Sequence, residues 1–268
     1  MARLGARGLA VAVGMPVAFV LVASLLTAVG GSSATASEPT PSPSAAEQAP
    51  AAAAAPAQEA FFGVRRTLVR VPNPLTVSYR QKTTDDVVFI TIDDGVFKDR
   101  EALRLVQQWN LPVTAFLSTW TIKDRAPYFR AITQWGSIQN HSMTHANLLD
   151  SASHLQHEVC GAQRDITKDF GVQPWMLRPP YGAGPNNMFT QVTAERCGIA
   201  RIVMWDAVVD KGKLSVPGGT LRRGDIVLLH FTNDLARDLR VAAKAMHRAG
   251  LRPASLAQYI PDTNGKTP

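Results

Sequence analysis

From Val87 to Ile260, short apolar runs alternate with segments of helical periodicity, and this alternation constrains the fold more than any other feature of the chain. The runs are Val87 to Ile92, Val113 to Leu117, Ser137 to Asn140, Met176 to Arg178, Ile202 to Trp205 and Ile226 to His230. Strand-then-helix units joined by right-handed crossovers imply an α/β domain built on a parallel sheet, either open or closed into a barrel. The stretch "VRVPNPLTVSYRQ" before the first run predicts a short strand pair, and there is no internal repeat.

Two helices are well marked. Leu155, Val159, Ala162, Ile166 and Phe170 recur at helical spacing; Ser153 with Gln156 reads as a capping box, and Gly171 as the stop. A second helix starts at about Asp234, with Leu235, Leu239, Ala242 and Met246 on one stripe and Gly250 at its end. Helices are expected between most of the remaining runs.

With 268 residues and 46% of them hydrophobic, the chain can bury one substantial core. That core is expected over residues 76–262. Residues 1–36 carry Arg3 and Arg7, then an apolar run from about Leu9 to Gly31 and the small-residue pattern Ala34-Thr35-Ala36. This predicts an export signal with cleavage after it; the run is also long enough to serve as an uncleaved membrane anchor, the one membrane contact expected. Residues 37–75 open with an Ala/Pro/Ser-rich spacer, too poor in large apolar groups to pack, and continue as an irregular lead-in. The expected location is secreted or extracytoplasmic, tethered if the anchor is kept.

The formal charge is +7, to which Arg3 and Arg7 contribute two. A basic exported domain suits anionic cell-wall polymers, whereas nucleic-acid binding would call for clustered Lys and Arg with interleaved aromatics, a pattern the chain lacks. A monomer is expected. Cys160 and Cys197 suit a disulfide in an oxidising compartment, with two buried free thiols as the alternative; no CxxC spacing points to metal or redox chemistry.

Function in parallel α/β folds collects at the carboxyl ends of strands. Here those ends bring Asp93 and Asp94, Asn140 and His141, Arg178 to Tyr181, Trp205 and Asp206, and His230 to one rim. His141 and His145 stand four apart, the spacing that puts two side chains on one face of a helix. Joined by Asp94 or Asp93 they make a three-ligand site with open positions, a catalytic pattern for which zinc is the leading ion and cobalt or nickel the alternatives. His154 and His157, equally close in sequence, flank an apolar stripe and read as surface residues. Successive strand residues face opposite ways, so one aspartate can bind an ion while its neighbour acts as a base, with Gly95 allowing the tight turn. A helix-capping Asp at a strand end is the plainer alternative.

The ordered set "TIDDG", "HSMTH", "RPPYG" and "DIVLLH" resembles the motifs of the polysaccharide deacetylases, the carbohydrate esterases with a NodB homology domain, across Val87 to Ile260. The resemblance implies a distorted parallel (β/α) barrel of about seven strands. It implies Asp93 as general base, Asp94, His141 and His145 as metal ligands, and Arg178 as the partner of Asp93. The backbone N–H of Tyr181 would stabilise the oxyanion and His230 would act as general acid. Leu228, Pro180 and Trp205 would line the substrate pocket, and an acetylated polysaccharide would be the substrate. A metal-activated water, a carboxylate base and a histidine acid suffice for amide hydrolysis without a covalent intermediate. Serine chemistry is a poor rival, since there is no GxSxG elbow.

Two departures matter. The family's fourth motif reads Asp-x-x-Asp-Trp, whereas "WDAVVDKGK" offers Asp206 or Asp210 at a different spacing with no Trp following; Ile92 stands where Phe is usual. The alternatives are therefore a wall-binding protein on the same fold without turnover, or a hydrolase of small cyclic amides, whose substrates fit an exported chain poorly.

Overall fold

The computed structural model describes residues 75–260, apart from 124 and 150. The predicted export segment and spacer lie outside the described residues.

Ten short strands alternate with six helices: β1 (Thr76–Ser78), β2 (Val87–Asp94), α1 (Arg100–Gln108), β3 (Val113–Leu117), α2 (Ala126–Ile132), β4 (Ser137–Asn140), α3 (Ala152–Phe170), β5 (Met176–Leu177), α4 (Met188–Arg196), β6 (Arg201–Val203), β7 (Ala207–Asp210), β8 (Lys213–Ser215), β9 (Ile226–His230), α5 (Leu235–Ala249), β10 (Arg252–Pro253) and α6 (Leu256–Tyr259). The order across the sheet is β1-β6-β5-β4-β3-β2-β9-β7-β8, with β10 paired to the start of β2. From β6 to β7 every pairing in this order is parallel, a run of seven strands. Its two ends, β6 and β7, are separated in sequence by only Met204, Trp205 and Asp206, so the sheet curls strongly, with β1 and β8 paired to their outer sides. The result is the distorted parallel barrel expected from the sequence.

β2 is the central strand, and Val87 to Ile92 are all buried, as befits a strand covered on both faces. Ile90, Ile92, Val113, Ala115 and Leu117 pack outward against α1, α2 and α5 in the larger core cluster, while Phe89, Phe116, Met176, Val203 and Ile226 form a second cluster with Leu256 and Ile260. The predicted stripe of α5 is buried and Gly250 ends the helix at φ 68°. Gly171 ends α3 at φ 72°.

Local details differ from expectation. Ser151, not Ser153, caps α3 by accepting the His154 N–H, because the helix begins one residue after it, at Ala152. The strand pair expected before β2 falls partly outside the described residues; within them, β1 lies parallel to β6 and Arg80 bridges to Asp225, so residues 76–80 spend their backbone bonds on distant strands. The β7–β8 hairpin was not anticipated, since Lys211-Gly212 supplies the turn through two residues of positive φ within a polar stretch. Cys160 of α3 and Cys197, at the end of α4, form a disulfide.

Candidate metal and catalytic centre

Parallel pairing puts the ends of β2, β3, β4, β5 and β9 on one rim. Register sets Asp93 beside His230 and Phe116, and Asn140 beside Leu177 and Leu117. A cavity of about 320 Å³ opens there, lined by Asp93, Asp94, His141, His145, Pro179, Tyr181, Gly182, Trp205, Leu228 and His230.

Asp93 is 2% exposed and its Oδ1 accepts Arg178 Nη1 at 2.7 Å. Arg178 is wholly buried beneath the cavity. Its Nη1 also reaches Thr91 Oγ1, its Nε the Val203 carbonyl and its Nη2 the Met204 carbonyl, and its plane lies 4.3 Å from the Phe116 ring centroid. Burial lowers the guanidinium pKa while Asp93 opposes that shift. Thr91 escaped the sequence reading, although its place two residues before Asp93 on one strand face was a usable signal.

Asp94 does not continue the strand geometry. Its φ of 80° is followed by 94° at Gly95, so the alternation of side chains breaks and both carboxylates reach the same cavity. A Cβ on Gly95 would stand 2.7 Å from Thr121 Oγ1, the hydroxyl that donates to the Asp94 carbonyl, so only glycine fits.

His141 and His145 lie in the loop after β4, not on a helix as their spacing suggested. Left-handed backbone at Ser142 (φ 67°) and His145 (φ 63°) folds the loop back, and this brings the rings within 5.0 Å. Among the described residues six non-glycine positions have positive φ, and four of them, Asp94, Ser142, His145 and Tyr181, lie at this centre. Strain so concentrated marks a functional site.

The three side chains converge. Asp94 Oδ1 is 3.4 Å from His141 Nε2 and 3.2 Å from His145 Nε2, and one ligand atom from each residue lies within 4.8 Å of the others. Tetrahedral ligands about 2.1 Å from a zinc ion stand roughly 3.4 Å apart, so the set fits such an ion. Asp94 Oδ1 is buried with no hydrogen-bond partner, as an atom reserved for a cation would be. His141 Nδ1 lies 2.7 Å from the Arg178 carbonyl, which fixes Nδ1 as the protonated nitrogen and leaves Nε2 its lone pair. Burial works against ionisation of Asp94, yet the two rings hold its carboxyl well below the usual range, and Asp94 in turn raises His145.

Tyr181 lies inside a 3-10 turn, Pro180–Gly182, with φ 60°. Its ring is 71% exposed and packs edge-on against His145. Leu228 is buried in the wall and Trp205 packs over Gly182. Pro179 lines the cavity where Pro180 was expected: Pro180 opens a 3-10 turn and is buried beneath it. Asp206 faces away. Its Oδ1 accepts the Ile226 N–H, four residues before His230, and its Oδ2 pairs with Arg80 at 3.7 Å. Asp210 is exposed at the β7–β8 hairpin. No carboxylate hydrogen-bonds His230 among the described residues.

A second cavity of about 210 Å³ shares Asp94, His145 and Tyr181 and adds Val96, Ser118, Trp120, Thr121 and Thr144. The sequence reading missed Trp120, 53% exposed, although it follows the end of β3 within "LSTWT".

The rim of the curled parallel sheet thus carries a two-histidine, one-carboxylate cluster beside a buried Asp–Arg pair. Residues 80–201 match the sequence profile of the family described as Polysaccharide deacetylase, and the chain belongs to that family. It is 32% identical over 188 residues to an uncharacterised protein of Streptomyces coelicolor, covering 67% of this chain and 75% of that one. Its fold resembles the crystal structure of a peptidoglycan N-acetylglucosamine deacetylase, with TM-score 0.59 and 20% identity over 69% of this chain and 93% of the other. It also resembles a family 4 carbohydrate esterase pseudoenzyme from Bacillus anthracis, with TM-score 0.58 and 17% identity over 70% and 69% of the two chains.

Proposed function

We propose that the protein is an exported, metal-dependent hydrolase that removes acetyl groups from an N-acetylated glycan, with peptidoglycan or chitin-like chains ahead of O-acetylated xylan. The observation that carries this reading is the buried, unpartnered Asp94 Oδ1 set between two imidazole nitrogens at 3.2 and 3.4 Å. Asp94, His141 and His145 would hold the cation, zinc first and cobalt or nickel as alternatives. When bound, it supplies Lewis acidity that polarises the acyl carbonyl and acidifies water.

The remaining steps belong to the chain. Asp93, held by Arg178, takes the proton of the attacking water. The Tyr181 N–H donates to the oxygen that gains charge, and His230 gives a proton to the leaving nitrogen. Leu228 and Trp205 enclose the acetyl methyl. Trp120 and Tyr181 expose aromatic faces beside the two cavities, which suits sugar rings. The Cys160–Cys197 disulfide supports an oxidising compartment, and the net positive charge suits a polyanionic wall.

Acetate release from acetylated chito-oligomers and peptidoglycan tests the proposal, using wild type, Asp93→Asn and His141→Ala, with and without chelator. Release that both substitutions and chelation abolish is expected; none from any acetylated glycan with metal supplied would sink it. One observation favours a second reading, a glycan-binding protein without turnover: no carboxylate hydrogen-bonds His230 among the described residues, and Asp206 is committed elsewhere. Tight glycan binding without acetate release would select it.

A further inference from the structure

The loop that carries His141 and His145 is shaped from behind by α3. Glu158 is fully buried and extends from this helix against the loop. Its Oε2 accepts the backbone N–H groups of Met143 at 3.0 Å and Thr144 at 2.8 Å, and its Oε1 accepts the Thr144 hydroxyl at 2.8 Å. No lysine or arginine pairs with it among the described residues, so these donors are what keep the carboxylate satisfied.

The loop needs such a template because its own conformation is unfavourable. Ser142 and His145 both have positive φ, and Met143 and Thr144 between them would otherwise have N–H groups without acceptors. On its other side the loop gives the Ser142 and Met143 carbonyls to the N–H groups of Thr119 and Trp120. The loop is thus held between the end of β3 and α3, and Glu158 supplies the charged contact.

The helix is itself fixed at this level. Asn140, the last residue of β4, donates to the Val159 carbonyl and to Gln163 Oε1, while Gln163 Nε2 donates to the carbonyls of Pro174 and Cys197. Cys160, two residues after Glu158, ties α3 to the end of α4.

We propose that Glu158 is a positioning residue for the metal centre, setting the loop backbone so that His145 meets Asp94 and His141. The inference rests on the metal-site reading above and adds a residue to which no role in this chemistry has been given. It acts through the backbone of residues 143 and 144 and touches neither cation nor substrate.

The test is zinc affinity of the metal-free protein, measured by competition with a chromogenic chelator alongside Tm. Glu158→Ala is expected to weaken zinc binding about tenfold or more. Glu158→Gln is expected to stay within about threefold of wild type, since its amide oxygen can accept both N–H groups while its NH₂ meets a Thr144 hydroxyl turned to accept. Ile166→Ala, on the same helix and buried in the core, serves as a control and is expected to lower Tm and leave zinc affinity unchanged. Wild-type affinity in Glu158→Ala, or an equal loss in Ile166→Ala, overturns the proposal. Should Glu158→Ala fail to fold, Glu158→Gln combined with Thr144→Val takes its place: the amide NH₂ then faces a methyl group, and affinity is expected to fall by more than the two single changes together, whereas simple additivity overturns the proposal. Failure of wild type to bind zinc removes the metal-site reading and this inference with it, an outcome distinct from wild-type binding that Glu158→Ala leaves intact.

Discussion

Arg178 and Asp93 meet across 85 residues of chain, Nη1 to Oδ1 at 2.7 Å, with both side chains almost wholly buried. The pair joins the end of β5 to the end of β2 under the cavity floor. The same arginine accepts His141 Nδ1 at its backbone carbonyl, so one residue orients both the carboxylate and a metal-ligating ring.

Removing that guanidinium leaves a buried carboxylate uncompensated. Arg178→Met is expected to cost about 3–5 kcal/mol, read as a lower urea midpoint. Adding Asp93→Asn to Arg178→Met is expected to recover part of the loss, because the stranded charge is gone. A double variant no more stable than the single would show that the arginine acts through its stacking on Phe116 and its carbonyl contacts.

Gly95→Ala combines a φ of 94° with a 2.7 Å clash on Thr121 Oγ1. It is expected to cost about 1–3 kcal/mol in unfolding free energy and to weaken zinc binding by displacing Asp94. Unchanged affinity in a destabilised variant would separate the turn from the site.

His230→Ala is expected to lower kcat on acetylated chito-oligomers by about 10²–10⁴-fold while leaving zinc affinity intact, as loss of a proton donor should. Equal rates in the two proteins would assign protonation of the leaving nitrogen to another group.

Asp206 has a pKa pushed up to about 6, first by burial and then by the neighbouring Asp225 carboxylate, with Arg80 and the Ile226 N–H pulling the other way. A carboxyl raised in the folded state holds its proton more tightly there than in the unfolded chain, so its contribution to stability is fully present below the ordinary carboxyl value of 3.8 and is lost as pH rises through about 6. Asp206→Asn is expected to flatten this part of the pH dependence of chemical unfolding. An unchanged slope between pH 4 and 6 would place the titration elsewhere.

The disulfide spans 37 residues, and replacing Cys160 and Cys197 together with serine is expected to cost about 3–4 kcal/mol. Thermal unfolding with and without reductant reads it: reductant should lower the wild-type Tm and leave the double variant unmoved.

Much of this molecule was legible in the chain. β3, β4 and β9 run over the residues their apolar runs marked, and β2 extends two residues further, because short apolar segments between amphipathic helices have few other ways to be buried. The strand-end rule then brought Asp93, Asp94, His141, Arg178 and His230 to one rim without knowledge of any contact. The differences share a cause. Ser151 caps α3 where Ser153 with Gln156 reads as a capping box, and Asp206, one of the two carboxylates standing in for the fourth motif, turns away from the cavity to Ile226 and Arg80. Each expectation rests on near neighbours in sequence, and each is decided by where a helix begins or by which way a side chain turns.

The sequence by itself determined the parallel architecture, the rim on which chemistry collects and the residues able to hold a cation, because burial periodicity and side-chain chemistry are local properties. Tertiary structure decided that the histidines sit on a strained loop and not on a helix, that Asp94 breaks its strand to join them, and that Glu158 lies behind them. Those outcomes depend on positive φ values that isolated residues avoid and that only surrounding contacts, Thr121 on Asp94 and α3 on the loop, can hold in place.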